Sequence, residues 1–199
     1  MMQRITFSDY PLVYYCLHDK IFPFFIQVYI SHCTGCKLQQ EKLLKFAEHI
    51  ENEIPGTSVV VDLTRQIEIN NCGGLSQWIP KQMSSADKIV VILSPEYLKV
   101  VEKASQDMDT TTDTTTAEEN DQETLKVLME YGILKTELHE NCRFSERLVV
   151  GWLGEVDMVD LPGVFQGRSC RKVPTSRESF KKSSFLNVLS EAQQQTEAV

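Results

Sequence analysis

Positive charge is in short supply in this chain: 20 Lys and Arg stand against 28 Asp and Glu in 199 residues, a formal net charge of −8. That balance excludes a general nucleic-acid or anionic-membrane binder, because both need a basic face. One local run departs from it, Arg168-Ser-Cys-Arg171-Lys172 with Lys181-Lys182 further on. Such a run is most often only a solvated surface, so it is a candidate basic patch and no more. Long apolar runs are missing as well. The stretch 21–30 is about ten residues long and interrupted by Pro23, too short to cross a bilayer. Residues 1–25 lack the basic, then apolar, then small-residue order of a secretory signal. The expectation is a reducing compartment in which Cys16, Cys33, Cys36, Cys72, Cys142 and Cys170 serve mainly as small core residues.

Several catalytic signatures are absent too. Gly73-Gly74 has no Lys-Ser/Thr after it, so no phosphate loop opens a helix, and no Gly-x-Ser-x-Gly elbow occurs. Asp107, Asp109 and Asp113 lack the glycine and the closing glutamate of a calcium loop. Cys33, Cys36 and His49 match three ligands of a zinc finger, but the fourth is missing from the positions after His49. No metal or cofactor is expected.

What is present is an alternation of short β-branched runs with helical periods. Residues 27–31 read as a first strand, and 37–54 as a helix with Leu38, Leu43, Leu44, Phe46, Ala47 and Ile50 on one face. Pro55-Gly56 ends it. A second strand covers 58–62, a long polar loop 63–74, and a weaker helix 75–84 contains Pro80. Lys88 to Leu93 holds five consecutive apolar residues, four of them Ile or Val, the pattern of a strand buried on both faces. Ser94-Pro95 supplies an N-cap and an N1 proline for a helix to about Lys103. This β-α-β-α-β-α order predicts an α/β fold with a parallel sheet and helices on both faces. A helix over 121–140, a fourth strand over 147–153, a small edge strand at 169–173 and a closing helix over 176–194 complete it. The run 105–121, rich in Thr and Asp, has almost nothing to bury and reads as a mobile acidic loop. Residues 1–26 show no clear period, and 196–199 are expected to fray.

Cys33-Thr-Gly-Cys36 lies after a strand and before a helix, where thioredoxin-like proteins place their redox pair. Such a chain also needs an Ile-Pro pair directly entering its next strand. Here Ile79-Pro80 comes a whole helical segment before the Lys88 strand. A thiol-disulfide oxidoreductase using Cys33 and Cys36 is therefore the alternative reading, and an antiparallel pair beside the Cys33 strand is its structural test.

Taken together, Val28-Tyr-Ile-Ser31, Val60-Val-Asp-Leu63, Trp78, the Ile89–Tyr97 strand with its Ser-Pro-Glu-Tyr turn, Phe144–Leu153 and Leu161-Pro-Gly-Val-Phe-Gln166 resemble the SEFIR family. These are TIR-related domains of interleukin-17 receptors and their adaptor, and the closer likeness is to the adaptor's domain. It covers about residues 27–195. The resemblance implies a TIR-like or flavodoxin-like three-layer sandwich around about five parallel strands. It further implies homotypic association with SEFIR domains of interleukin-17 receptors and with itself, coupled indirectly to TRAF proteins and NF-κB. The implied place is the cytoplasm, with recruitment to the plasma membrane through receptor tails. No enzyme activity is carried over. About 25 residues precede the domain, too few for the adaptor's U-box, and no TRAF-binding peptide motif is present. In TIR NAD hydrolases a glutamate next to a Trp-Cys pair follows the Ser-Pro turn. Here Leu98-Lys-Val-Val-Glu102 has no Trp-Cys, and Glu102 comes too early. The helix after Pro95, its following loop and the 63–74 loop are the expected docking surface. Arg65, Tyr97, Lys99 and Glu102 are its candidate residues.

Overall fold

The computed structural model describes residues 26–107, 122–140, 144–154, 156 and 161–196. Residues 1–25, most of the acidic Thr-rich run and the last three residues, each the subject of an expectation above, lie outside the described residues.

Five strands form one parallel sheet: β1 (Ile26–His32), β2 (Thr57–Val60), β3 (Lys88–Leu93), β4 (Leu148–Trp152) and β5 (Cys170–Lys172). Their spatial order is β2-β1-β3-β4-β5, with every neighbouring pair parallel. The connecting helices are α1 (Lys37–Glu53), α2 (Gln66–Asn71), α3 (Leu75–Ser85), α4 (Pro95–Asp107), α5 (Gln122–Glu140), α6 (Phe144–Arg147), α7 (Arg177–Lys181) and α8 (Ser184–Thr196). This is the doubly wound α/β arrangement expected from the alternating pattern.

All six residues of β3 are buried, as a continuous β-branched run predicts for a central strand. Its alternate side chains enter two separate cores. Ile89, Val91 and Leu93 join Tyr29, Trp78, Tyr97 and Phe165. Val90 and Ile92 join Leu43, Phe46, Ile50, Phe180 and Phe185. Burying each of these side chains contributes about 1.5–3 kcal/mol.

Three local readings need correction. The polar stretch 63–74 is no open loop: a 3-10 turn at Asp62–Thr64 and helix α2 occupy it, with Ile69 its one buried anchor. The closing helix is two, α7 and α8, separated at Lys182 and Ser183. Leu38 and Leu44 leave the buried face of α1 and stand exposed, so Leu43, Phe46, Ala47 and Ile50 carry the packing. Pro80 is tolerated within α3 on its exposed side.

The passage from α3 into β3 is held from a distance. Arg147, at the end of α6, donates through Nη2 to the carbonyls of Met83, at 2.8 Å, and of Ala86. A guanidinium thus satisfies carbonyls that a helix C-terminus leaves without partners.

Candidate interaction site

Helix α4 leaves the carboxyl end of β3 through the cap that its sequence announces. Ser94 Oγ accepts the backbone N–H of Tyr97 at 3.1 Å and donates to the Cys33 carbonyl at 2.7 Å. One hydroxyl therefore caps the helix and ties it to the end of β1. Tyr97 and Val101, four residues apart, are both fully buried, and the Tyr97 ring meets Phe165 edge-on with centroids 6.3 Å apart. Burial, with the nearby Glu130 charge adding to it, pushes the Tyr97 phenol well above its ordinary range. The opposite side of α4 presents Lys99, Glu102 and Lys103 to solvent. Arg65 is half-buried at the start of α2 and pairs with Glu68 at 2.8 Å. Of the four candidate residues, Arg65 sits on the turn after β2, which β1 separates from β3, whereas Lys99 and Glu102 are exposed on one face of α4. Tyr97 lies beneath them in the core.

Behind this surface is a buried polar cluster that sequence reasoning did not assemble. Glu130 of α5 accepts from Tyr29 Oη at 2.5 Å and from Ser31 Oγ at 2.6 Å. Lys126, one turn earlier on α5, donates to Asp62 Oδ2 at 3.1 Å, and its ammonium lies 3.3 Å from His32 Nε2. His32 Nε2 is 2.6 Å from Asp62 Oδ1. Burial works to raise the Asp62 pKa, but the hydrogen bond and charge of His32, together with Lys126, outweigh it and hold the carboxyl far below its usual range. For Glu130 burial wins over Lys126, Ser31 and Tyr29, and its pKa is raised. Tyr29 rises as well, through burial and then through Glu130.

These charges are spent on one another, and the cluster works as a clamp. It fastens α5 to the ends of β1 and β2, and it fixes the Asp62 turn from which Arg65 projects. A faint sequence signal existed: Lys126 and Glu130 are charges at i and i+4 in a helix that is otherwise largely apolar around them.

The carboxyl end of the sheet is closed in a related way. Thr34 N donates to Glu123 Oε1 at 2.7 Å, and Gln39 Nε2 donates to Glu96 Oε2 at 3.3 Å. Glu96 packs directly on Gly35, where an added Cβ would meet Glu96 Cγ at 2.7 Å. These contacts link side chains at the carboxyl ends of β1 and β3, the place where open α/β sheets commonly take a ligand.

Cys33 is buried, whereas Cys36 is exposed at the N-cap of α1. The Cys33 strand has parallel neighbours on both sides. The antiparallel pair that a thioredoxin-like fold requires is not there, and the oxidoreductase alternative is withdrawn.

The SEFIR domain family model matches residues 26–178. The chain belongs to the SEFIR family. Among solved structures, the SEFIR domain of interleukin-17 receptor B superposes with a TM-score of 0.52 at 13% identity, covering 83% of this chain and 97% of that one. A prokaryotic SEFIR domain superposes with a TM-score of 0.52 at 17% identity, covering 82% of this chain and 92% of that one. At these identities the likeness speaks for the fold alone. No curated protein matches the chain significantly. Among the described residues, no helix of this SEFIR domain is long and apolar enough to cross a membrane. Domains of this family are known as homotypic interaction modules.

Proposed function

We propose that this SEFIR domain is an adaptor module of intracellular signalling, docking on the SEFIR domains of interleukin-17 receptors through α4 and the Asp62–Asn71 turn. The observation that supports it is the division of labour on α4. Tyr97 and Val101 anchor one side in the core while Lys99, Glu102 and Lys103 face solvent. A helix immobilised from behind loses little entropy when it docks, and charged groups on it set specificity and association rate. Arg65 supplies a second contact point on the turn after β2, and Tyr97 contributes as a positioning residue beneath α4. In this reading the domain acts at the plasma membrane through receptor tails, upstream of TRAF-type ligases and NF-κB.

The test is capture of the domain by immobilised interleukin-17 receptor tails, comparing wild type with a Lys99→Glu, Glu102→Lys double variant whose circular dichroism and melting temperature match. Loss of capture is expected. Equal capture by the folded double variant would remove α4 from the mechanism.

A further inference from the structure

Helix α5 is apolar on more sides than the core can use. Val127 and Leu134 are fully buried, on the same side as the clamp residues Lys126 and Glu130. Toward solvent, Leu125 is 50% exposed, and Leu128, Met129 and Ile133 are covered only in part. A helix with apolar residues all round ordinarily lies between two surfaces, and the described residues supply one of them. The other side carries an open groove of about 380 Å³, lined by Leu128, Met129, Gly132, Ile133, Thr136 and Glu137. Apolar atoms make up most of that lining. The Thr136 hydroxyl donates to the Gly132 carbonyl at 3.0 Å, so it is spent on the helix itself.

Gly132 is the informative member of the groove. Glycine inside a helix is destabilising relative to alanine, and no contact among the described residues calls for it here: a Cβ added at Gly132 would meet nothing within 4 Å. The missing side chain leaves room for an outside backbone to come close. Leu125 to Glu137 spans about 18 Å along the helix axis, the length of roughly three turns of an apposed helix. Charge then decides which helix fits. Glu137 is the charged member of the lining. Lys135 is exposed but lies two residues away, where side chains of a helix do not face each other. The chain as a whole carries a net charge of −8, so the local carboxylate and the overall field both favour a cationic partner.

We propose that this groove takes a basic amphipathic helix of a partner protein. Its apolar stripe lies along Leu125, Leu128 and Met129, its backbone passes closest at Gly132, and a lysine or arginine meets the Glu137 carboxylate. The site is separate from the exposed face of α4, and the proposal stands whether or not that face docks on a receptor.

The probe is a fluorescein-labelled helical peptide of Leu, Ala and Lys with its leucines at amphipathic spacing; the control holds the same residues in an order without that stripe. Fluorescence anisotropy at about 0.15 M salt is expected to show the probe binding about tenfold more tightly than the control, with the Met129 and Ile133 methyl signals shifting in NMR spectra. Gly132→Gln places a side chain in the groove while improving the helix. Its melting temperature is expected to rise by about 1–3 °C while its affinity for the probe falls by about tenfold. Those opposite signs separate docking from a structural effect. Glu137→Gln is expected to weaken binding by about threefold. The proposal is overturned if the probe does not bind, if the control binds as well, or if either variant keeps the wild-type affinity. It is equally overturned by binding that leaves the Met129 and Ile133 signals in place. A wild-type chain that sediments as a dimer, with Gly132→Gln a monomer, would make a second copy the occupant and overturn it too.

Discussion

On one face of the sheet, Val28 and Ile30 of β1 meet a core of Leu43, Phe46, Ile50, Phe180 and Phe185 in which every side chain is apolar. On the other face, Tyr29 and Ser31 of the same strand turn to Glu130, a buried carboxylate on α5. The first arrangement is stabilised by contact area and tolerates whatever fills the volume. The second depends on partners at fixed distances, and removing one leaves the others stranded in low dielectric. The face with the directional contacts is also the one behind the proposed docking helix. Its polar contacts fix positions, while the apolar residues around them, Trp78, Tyr97 and Phe165 among them, supply stability as on the first face.

The largest effects belong to the two centres. Phe46 is fully buried, with ring centroids 5.9 Å from Phe180 and 5.1 Å from Phe185. Phe46→Ala is expected to cost about 3–5 kcal/mol, by urea unfolding, with little dependence on pH. Lys126→Ala removes the cation between Asp62 and His32 and is expected to cost about 3–5 kcal/mol at neutral pH, the usual result of breaking a buried pair. The comparison breaks if Lys126→Ala costs under about 1 kcal/mol, which would mean that water reaches the cluster and screens it.

A smaller loss is expected from adding one carbon to the apolar face. A Cβ at Gly151 would lie 2.7 Å from Phe185 Cζ, 3.1 Å from Ile92 Cδ1 and 3.3 Å from Val173 Cγ2. Gly151→Ala therefore overpacks this core and should lower stability by about 1–3 kcal/mol. If Gly151→Ala is neutral by thermal melting, this core has room to give, and its close packing has been overstated.

These two faces were unequally legible from sequence. The apolar one follows from periodicity: the β3 run, the α1 face and the Pro55-Gly56 stop are local patterns, and each matches a described element. Its errors came at weak amphipathic margins, where Leu38 and Leu44 lie just off the buried stripe of α1. Helix α2 escaped notice because it is six residues long and buries only Ile69. The polar cluster escaped because its bonds join residues far apart in the chain, Ser31 to Glu130 across 99 positions, and no local rule pairs them. Tyr97 shows the same limit: its place after the Ser94 cap was readable, but whether the ring faces a partner or the core depended on Phe165, which no local pattern places.

The pH dependence of the two carboxylates gives the comparison opposite signs within one cluster. The Asp62 pKa is depressed in the folded state, so its contribution is fully present above its unfolded value of about 3.9 and is lost as pH falls below that. The Glu130 pKa is raised, so its contribution is present below about 4.3 and is lost as pH rises through the folded value. The stability gap between wild type and Asp62→Asn should therefore narrow on acidification, whereas the gap to Glu130→Gln should narrow on the alkaline side. Urea midpoints taken from about pH 3 to about pH 7 decide it. Parallel curves for both variants would show that neither carboxylate is coupled to folding as the geometry requires.

The smallest effect is expected at the surface, on the turn that the cluster holds in place. Arg65 pairs with Glu68 one helical turn on, and both side chains remain substantially exposed. Solvent screens such a pair, and Arg65→Ala should cost only about 0.3–0.5 kcal/mol. If the turn is positioned from below by Asp62, Lys126 and His32, Arg65→Ala should weaken capture by receptor tails while the melting curve stays nearly fixed. A drop in stability comparable to that of Lys126→Ala would mean that Arg65 holds the turn itself. The clamp would then extend to the surface, and a binding defect in this variant could no longer be assigned to a lost contact.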